Sequence, residues 1–332
     1  MMFSVELSTG KRFGVEPGES LLDAAARSDV SMAYSCRTGR CSSCKCKVIT
    51  GVSAALHPES GLTDAEKMDG WILSCVRTAT TDMCLEVDDV SLTLPRIRTL
   101  PCRIHSLDTL SADVRRVVLR LPPGSEFNFL PGQYIEVIGQ GGLRRSYSLA
   151  KSTAADMLLE LHIRAVDGGA MSEFWFSRAR VNDLLRLKGP LGTFFLRNVE
   201  GLHVIFLATG TGIAPVKAMI EGIGAMEAKD RPLSVTVYWG GRTRSDLYWD
   251  VAGTAAVRFA YVPVLSRAGD DWLGVRGYVQ QALLADRRDL SDCIVFACGS
   301  DAMIKGSRQA LVQSGLPAGR FFSDAFVCSS VN

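Results

Sequence analysis

Four cysteines lie at a spacing that few chemistries use. Cys36, Cys41 and Cys44 form C-x4-C-x2-C, and Cys75 follows after 30 intervening residues. This is the plant-type spacing for a [2Fe–2S] cluster, in which each iron takes two thiolates and all four sulfurs must converge. A tight loop can deliver three of them and a distant strand end the fourth. Gly39 and the small Ser42 and Ser43 let backbone amides turn toward the sulfides, which helps set the potential. The competing reading is a zinc site, but zinc usually takes paired C-x2-C units. Here there is one such pair, a third cysteine before it and a lone fourth. Cys46, Cys84, Cys102, Cys293 and Cys328 read as small core or surface thiols.

A second site is suggested at residues 210–215 (GTGIAP), between an apolar run over 204–208 and a helical pattern. Gly210 and Gly212 allow close approach of a pyrophosphate to a helix N-terminus, and Pro215 suits a first helical turn because its missing N–H costs nothing there. This is not the G-x-G-x-x-G fingerprint.

The elements that must position these residues fall into three blocks. Over 1–92, Phe3–Leu7 alternates, Thr9-Gly10-Lys11 turns the chain and 13–15 returns as a strand. A helix then starts near Glu19-Ser20 with Leu21, Leu22, Ala25 and Ala26 on one face. Strands are expected over 46–50 and 84–87, making a small α+β unit. Residues 93–101, with prolines at 95 and 101, read as a semi-rigid linker. Short strand-like runs over 116–121, 134–137, Leu158–Arg164 and 184–187, broken by Gly and Pro, suggest an antiparallel barrel over 102–198. From 199 to 332 strands and helices alternate: strands over 204–208, 235–239, 262–265 and 294–297, helices over 214–226, 279–284 and 302–314, and a further short run over 248–251. That pattern argues a parallel sheet with helices on both faces.

Composition sets outer bounds. The 332 residues are 47% hydrophobic and 22% charged, enough for two or three cored domains. Thirty-seven basic residues face 35 acidic ones, which gives no nucleic-acid signal. No apolar run of membrane-spanning length and no secretory pattern stand out, so a cytoplasmic protein, expected as a monomer, is anticipated. Ten cysteines in a reducing compartment do not imply a disulfide framework.

Residues 34–44 (YSCRTGRCSSC) resemble the cluster loop of plant-type ferredoxins, in which Gly is frequent at the position of Ser42. Arg145-Ser146-Tyr147-Ser148 resembles the R-x-Y-S signature of ferredoxin–NADP reductase-type flavin domains. His162-Ile163-Arg164, residues 168–172 (GGAMS) and Gly189-Pro190-Leu191-Gly192 resemble later parts of that domain. The G-T-G-I-A-P run and Cys298-Gly299, with Met303 completing C-G-x-x-x-M, match the nicotinamide half of the same superfamily. The order implied is β-grasp ferredoxin domain, antiparallel β-barrel flavin domain and parallel-sheet nucleotide domain. It is that of aromatic-ring dioxygenase reductase components and of CDP-6-deoxy-Δ3,4-glucoseen reductases, and the C-terminal residues 320–327 look closest to the latter.

The resemblance implies roles. Arg145 would pair with pyrophosphate, Tyr147 would pack on the isoalloxazine or ribityl chain, and Ser148 would hydrogen-bond the flavin edge. His162 and Arg164 belong to the site by position. Gly169 and Ser172, read as a helix cap, would receive phosphate. FAD is favoured over FMN. Gly210, Thr211, Gly212, Pro215, Cys298 and Gly299 would hold the nicotinamide nucleotide, with Cys298 near its ring and Phe326 stacking near the flavin. A core thiol for Cys298 and an apolar anchor for Phe326 are the plainer readings. Arg242 and Arg244 could meet a 2′-phosphate, but the loop with Asp246 resembles NADH users, so NADH is favoured. The implied activity passes the electron pair of NADH through FAD and the cluster singly to a partner, either a pyridoxamine-phosphate sugar dehydrase or an oxygenase component. A redox-sensing role is the remaining alternative. Arg37, Arg40, Lys45 and Lys47 around the loop form either a solvated rim or a docking face for an acidic partner.

Overall fold

The strand Phe3–Leu7 (β1) shows how the pattern becomes structure: Val5 and Leu7 turn inward while Ser4 and Glu6 do not. The computed structural model describes residues 2–87, 90 and 94–326. The anticipated boundary at 92/93 and Cys328 lie outside the described residues. By its contacts the chain divides into two units: residues up to Leu94 together with a short stretch from Ser323, and Pro95–Phe322.

In the first unit, Gly10 adopts φ 82° and lets β1 turn back into β2 (Arg12–Val15), paired antiparallel from Phe3↔Val15. Helix α1 (Leu21–Arg27) is capped by the Ser20 hydroxyl, which accepts the Asp23 N–H at 3.0 Å. It buries Leu21, Leu22, Ala24 and Ala25. Ala24 replaces the expected Ala26 because the i, i+3, i+4 spacing from Leu21 selects it. The remaining elements are β3 (Lys45–Thr50), β4 (Ser53–Ala55), α2 (Asp64–Met68), β5 (Trp71–Leu73), β6 (Arg77–Ala79) and β7 (Met83–Glu86). The main sheet runs β2-β1-β7-β3-β5, with β1 and β7 parallel. Its core of Leu7, Leu21, Leu73 and Leu85 is sealed from water; each such side chain contributes about 1.5–3 kcal/mol.

The second unit opens with β8 (Arg98–Ser111), which takes in residues 98–101 of the expected linker. Pro101 does not stop the strand, because it opposes Arg186, and Arg98 opposes Gly189, on a distant strand. With β9 (Val114–Arg120), β10 (Tyr134–Ile138), β11 (Arg144–Ser148), β12 (Leu158–Arg164) and β13 (Leu184–Leu191) it forms a six-stranded antiparallel sheet, β11-β10-β13-β8-β9-β12. A bridge between Leu149 and Leu161 brings the two ends together and closes the barrel. A short helix, α3 (Ala170–Glu173), lies between β12 and β13.

The same unit continues with β14 (His203–Thr209), α4 (Ile213–Ala225), β15 (Ser234–Gly241), β16 (Arg258–Leu265), β17 (Val275–Arg276), α5 (Val279–Asp286), β18 (Cys293–Ser300) and α6 (Asp301–Gln313). The strands β17-β16-β15-β14-β18 are parallel throughout. The run 204–208 of β14 is buried on both faces, as a central parallel strand requires. Residues 248–251 are not a strand: Tyr248 is held instead by edge contacts with Trp239 and His162. The last described strand is β19 (Phe321–Phe326).

Barrel and parallel sheet belong to one unit because α4 packs on the barrel. The Lys217 ammonium donates to the Ala150 carbonyl at 2.9 Å. Gly132, at φ 106°, admits Met219 so closely that a Cβ would stand 2.2 Å from its methyl carbon.

Candidate functional site

The cluster loop is built by register. Lys45 opposes Leu73, so Cys44, just before β3, and Cys75, in the 3-10 turn Ser74–Val76 just after β5, arrive side by side. Their sulfurs are 3.1 Å apart. Ser74 fixes that junction: its N–H and its hydroxyl both donate to the Cys44 carbonyl at 3.1 Å. The other two thiols form a second pair. The Cys36 N–H points at the Cys41 sulfur at 3.4 Å, and the Thr38 N–H at the Cys36 sulfur at 3.4 Å.

Left-handed backbone at Arg37, Gly39 and Ser42 produces this curl. Gly39 is required, since a Cβ would sit 2.5 Å from the Pro58 carbonyl oxygen. Ser42 tolerates the conformation with help from a short hydrogen bond, its hydroxyl donating to the Gly61 carbonyl. The amides aimed at sulfur come from Cys36 and Thr38, and within the curl from Gly39, toward Cys75, and Arg40, toward Cys36.

Proton sharing within each pair polarises the thiols. The hydrogen bond from Cys41 draws Cys36 down to about 5, and that from Cys44 draws Cys75 down. Cys41 and Cys44, as the donors, are pushed up. One thiol of each pair is thus eased toward the thiolate while its partner keeps the proton, and four sulfurs in two pairs match the two-per-iron count of a [2Fe–2S] cluster. Among the described residues no three His, Cys, Asp or Glu groups converge as a mononuclear metal site would need. Cys46 and Cys102 are each driven to about 12 by burial and stand outside the pairs as core thiols.

Of the expected flavin residues, Arg145, Tyr147 and Ser148 lie on β11, with Ser148 opposite Tyr134 and Tyr147 opposite Ile135. Tyr147 accepts the Trp175 indole N–H at 2.9 Å and meets its ring edge-on, and burial raises its hydroxyl to about 12. His162 and Arg164 share one face of β12. Gly169, not Ser172, is the N-cap of α3. Ser172 lies inside the helix, where its hydroxyl accepts the Val166 N–H at 2.9 Å and ties down the loop before it. The expected capping role of Ser172 is thereby corrected.

The nucleotide residues are locked by glycine-only contacts. Ala208 opposes Cys298 across β14 and β18. A Cβ on Gly212 would meet the Cys298 carbonyl oxygen at 2.2 Å, and one on Gly299, at φ 140°, would meet the Thr209 hydroxyl at 2.2 Å. Pro215 lies in the first turn of α4. Cys298 is fully buried. Arg164 reaches this loop from the barrel: its guanidinium pairs with Asp246 at 3.2 Å and lies against Gly210. Asp246 also accepts the Arg242 and Thr243 N–H groups at 2.8 and 3.1 Å, so it organises the 242–246 turn. Phe326 ends β19 half-buried, in the first unit, while Ser148 and Cys298 belong to the second.

One group in this region has no motif. Buried Glu160 on β12 accepts from His162 Nε2 at 3.0 Å, lies 3.3 Å from the Lys217 ammonium and pairs with Arg116 at 2.9 Å. Burial pushes its carboxyl up, but the His162 hydrogen bond and the two cations outweigh it and hold the group down to about 2. Burial keeps His162 neutral, its value lowered from 6.5. Tyr248 then donates to its Nδ1 at 3.2 Å. Two polar residues inside an otherwise apolar strand were the available signal.

Paired thiols, a barrel and a parallel nucleotide sheet define a class, the iron–sulfur flavoprotein oxidoreductases. Family models agree along the chain: a 2Fe-2S iron–sulfur cluster binding domain over 5–80, an oxidoreductase FAD-binding domain over 101–196 and an oxidoreductase NAD-binding domain over 206–309. The chain is 39% identical over 99% of its length, and 100% of the relative's, to a Yersinia pestis CDP-6-deoxy-L-threo-D-glycero-4-hexulose-3-dehydrase reductase. It is 32% identical over 95% of its length, and 96% of the relative's, to the ferredoxin–NAD(P)(+) reductase component of Ralstonia naphthalene 1,2-dioxygenase/salicylate 5-hydroxylase systems. The crystal structure of an Amycolatopsis cytochrome P450 reductase superposes with a TM-score of 0.75 at 30% identity, covering 99% of this chain and 100% of that one. The chain belongs to the [2Fe–2S] flavin reductases of the ferredoxin–NADP reductase superfamily. No helix among the described residues is long and apolar enough to cross a membrane.

Proposed function

We propose that this oxidoreductase supplies single electrons, drawn from NADH, to a pyridoxamine-phosphate-dependent dehydrase acting on a CDP-hexulose, and that it does so as a cytoplasmic monomer. The observation that carries the reading is the match along the whole chain to a dehydrase reductase. When bound, the flavin takes a hydride as an electron pair and the cluster handles electrons one at a time.

The chain's own residues bind and orient. Cys36 with Cys41, and Cys44 with Cys75, hold the two irons. Arg145 meets pyrophosphate, Ser148 presents a hydroxyl to the flavin edge, and Gly169 and Ser172 shape the phosphate turn. Tyr147 packs on the flavin with its hydroxyl fixed by Trp175. His162, kept neutral by burial, and Arg164 support the same site, and Phe326 supplies an aromatic face. Gly210, Thr211, Gly212 and Pro215 receive the nucleotide phosphates, and Cys298 with Gly299 borders the nicotinamide. No side chain is asked to act as general acid or base. NADH over NADPH is supported by Asp246, which occupies the turn carrying Arg242 and Arg244.

A second acceptor class, a ring-hydroxylating or other oxygenase component, has support in the full-length similarity to a dioxygenase reductase component. The test is direct. The reconstituted chain with NADH and either a CDP-hexulose dehydrase or a dioxygenase component is assayed for product per NADH consumed. Coupled deoxygenation with the dehydrase alone supports the first reading; coupling only with the oxygenase overturns it in favour of the second.

A further inference from the structure

The cluster loop of the first unit is not closed by residues of the loop alone. Ser35, immediately before Cys36, is almost wholly buried, and its hydroxyl donates to a carboxylate oxygen of Asp324, 289 positions away. Ser43, between Cys41 and Cys44, donates its hydroxyl to the Ser323 carbonyl at 2.9 Å. Asp324 itself is 5% exposed. Two serines that flank cluster cysteines thus hold one short segment, and that segment brings a carboxylate out of water beside the loop.

We infer that Asp324 sets the reduction potential of the cluster held by Cys36, Cys41, Cys44 and Cys75. This rests on the cluster assignment made above. The coupling is electrostatic. Reduction adds one negative charge to a site beside which a second negative charge is fixed. Out of water the repulsion is only weakly screened, so it disfavours the reduced form. A hydroxyl donor such as Ser35 stabilises a carboxylate without cancelling its charge. Ser35 therefore places the charge, and Asp324 acts on the cluster through space as a positioning residue rather than a catalytic one. The hydrogen bonds to Ser35 and Ser43 fix where that charge stands, as the outer shell of a metal site fixes its electronics.

The test compares two full-length variants with the unchanged protein, each carrying its iron, sulfide and flavin, by anaerobic redox titration of the cluster followed by electron paramagnetic resonance. Asp324→Asn keeps shape and acceptor but removes the charge. It is expected to raise the reduced-to-oxidised ratio at a fixed poise by roughly tenfold, equivalent to about 59 mV for a one-electron couple. Ser35→Ala keeps the charge and removes the donor that tempers it, so its potential is expected at or below that of the unchanged protein. A raised potential in Asp324→Asn, with that of Ser35→Ala at or below the unchanged value, supports the inference. An unchanged potential in iron-replete Asp324→Asn, or shifts of the same sign in both variants, overturns it. If the unchanged protein takes up neither iron nor sulfide, the cluster assignment itself has failed, which is a separate result.

Discussion

The cluster loop and the nucleotide loop solve opposite problems. At the cluster loop the chemistry belongs to side chains, and the backbone bends to bring four of them together. Arg37 and Ser42 accept left-handed conformations there, and Ser42 is steadied by a side-chain hydrogen bond. At the nucleotide loop the chemistry belongs to the backbone, and side chains must be absent. Gly212 and Gly299 face their neighbours at distances no Cβ can occupy. The first site should fail by losing a ligand and the second by gaining an atom.

The largest expected effect follows from the first half of that contrast. Cys75→Ala leaves Cys44 without its partner 3.1 Å away. Iron and labile sulfide, measured per chain, should fall to near nothing, and reduction of the protein acceptor should stop. Bleaching of the flavin band by NADH should survive, because the cluster cysteines and the nucleotide loop belong to different units. Loss of both reactions together would show that the two sites are not separable in this way.

The second half predicts a smaller effect with the opposite signature. Gly299→Ala must place a Cβ against the Thr209 hydroxyl at 2.2 Å and hold alanine at φ 140°. Strain of this kind costs about 1–3 kcal/mol. Drawn from NADH binding, that is a rise in KM of roughly five- to 150-fold with iron content unchanged. Gly315→Ala is the control: its φ is 97° but nothing lies within 4 Å. If both substitutions raise KM equally, conformational strain and not close approach is the cause.

The same contrast explains what was legible. Thiol spacing is written directly in residue types, so Cys36, Cys41, Cys44 and Cys75 could be picked out without the fold. Phe3–Leu7 was readable from its alternation and Leu158–Arg164 from its mostly apolar run bounded by turns. Arg98–Pro101 carries no such pattern; it is mostly exposed and is a strand only because a distant strand pairs with it. Prolines at 95 and 101 therefore suggested a linker. The run 248–251 misled in the other direction: Tyr248 is half-buried, held by ring contacts rather than by a ladder. The Ser35–Asp324 contact joins residues 289 apart and leaves no local trace. By contacts the barrel and the parallel sheet fall in one unit, where the Lys217 side chain of α4 donates to the Ala150 carbonyl.

Glu160 serves the stability of the second unit without belonging to any motif. Its carboxyl is lowered from 4.5 to about 2, so it contributes stability above 4.5 that is lost as pH falls toward 2. His162 is lowered from 6.5, and the unfolded chain gains that proton first, so stability already declines as pH falls through 6.5. Both groups act in one direction: the thermal midpoint should drop steadily on acidification from pH 7. Glu160→Gln should cost roughly 3 kcal/mol at pH 7, the order of the linkage value of such a shift, and should flatten the part of the decline below 4.5. A variant as stable as the unchanged protein at pH 7 would show that Lys217 and Arg116 do not depend on this carboxylate.

The smallest expected effect concerns what the cluster loop offers to an acceptor. Of its four flanking cations, Arg37 pairs with Asp23, Lys45 with Glu66 at 2.6 Å and Lys47 with Asp69 at 3.0 Å. Lys45 and Lys47 also lie over the Trp71 ring, at 4.3 and 5.8 Å from its centre. Arg40 is exposed and has no ion pair among the described residues. Its charge is the one that an acidic partner can use without breaking an internal pair. Arg40→Glu should raise the KM for the protein acceptor about two- to fivefold at low salt, the scale of one exposed pair. The difference should fade as salt rises, while NADH-driven flavin bleaching stays unchanged. Arg37→Glu should do less to the acceptor and more to the loop, because Asp23 loses its partner. If Arg37→Glu has the larger effect on KM and Arg40→Glu has none, the basic residues around the loop serve its own folding, and the acceptor docks by other contacts.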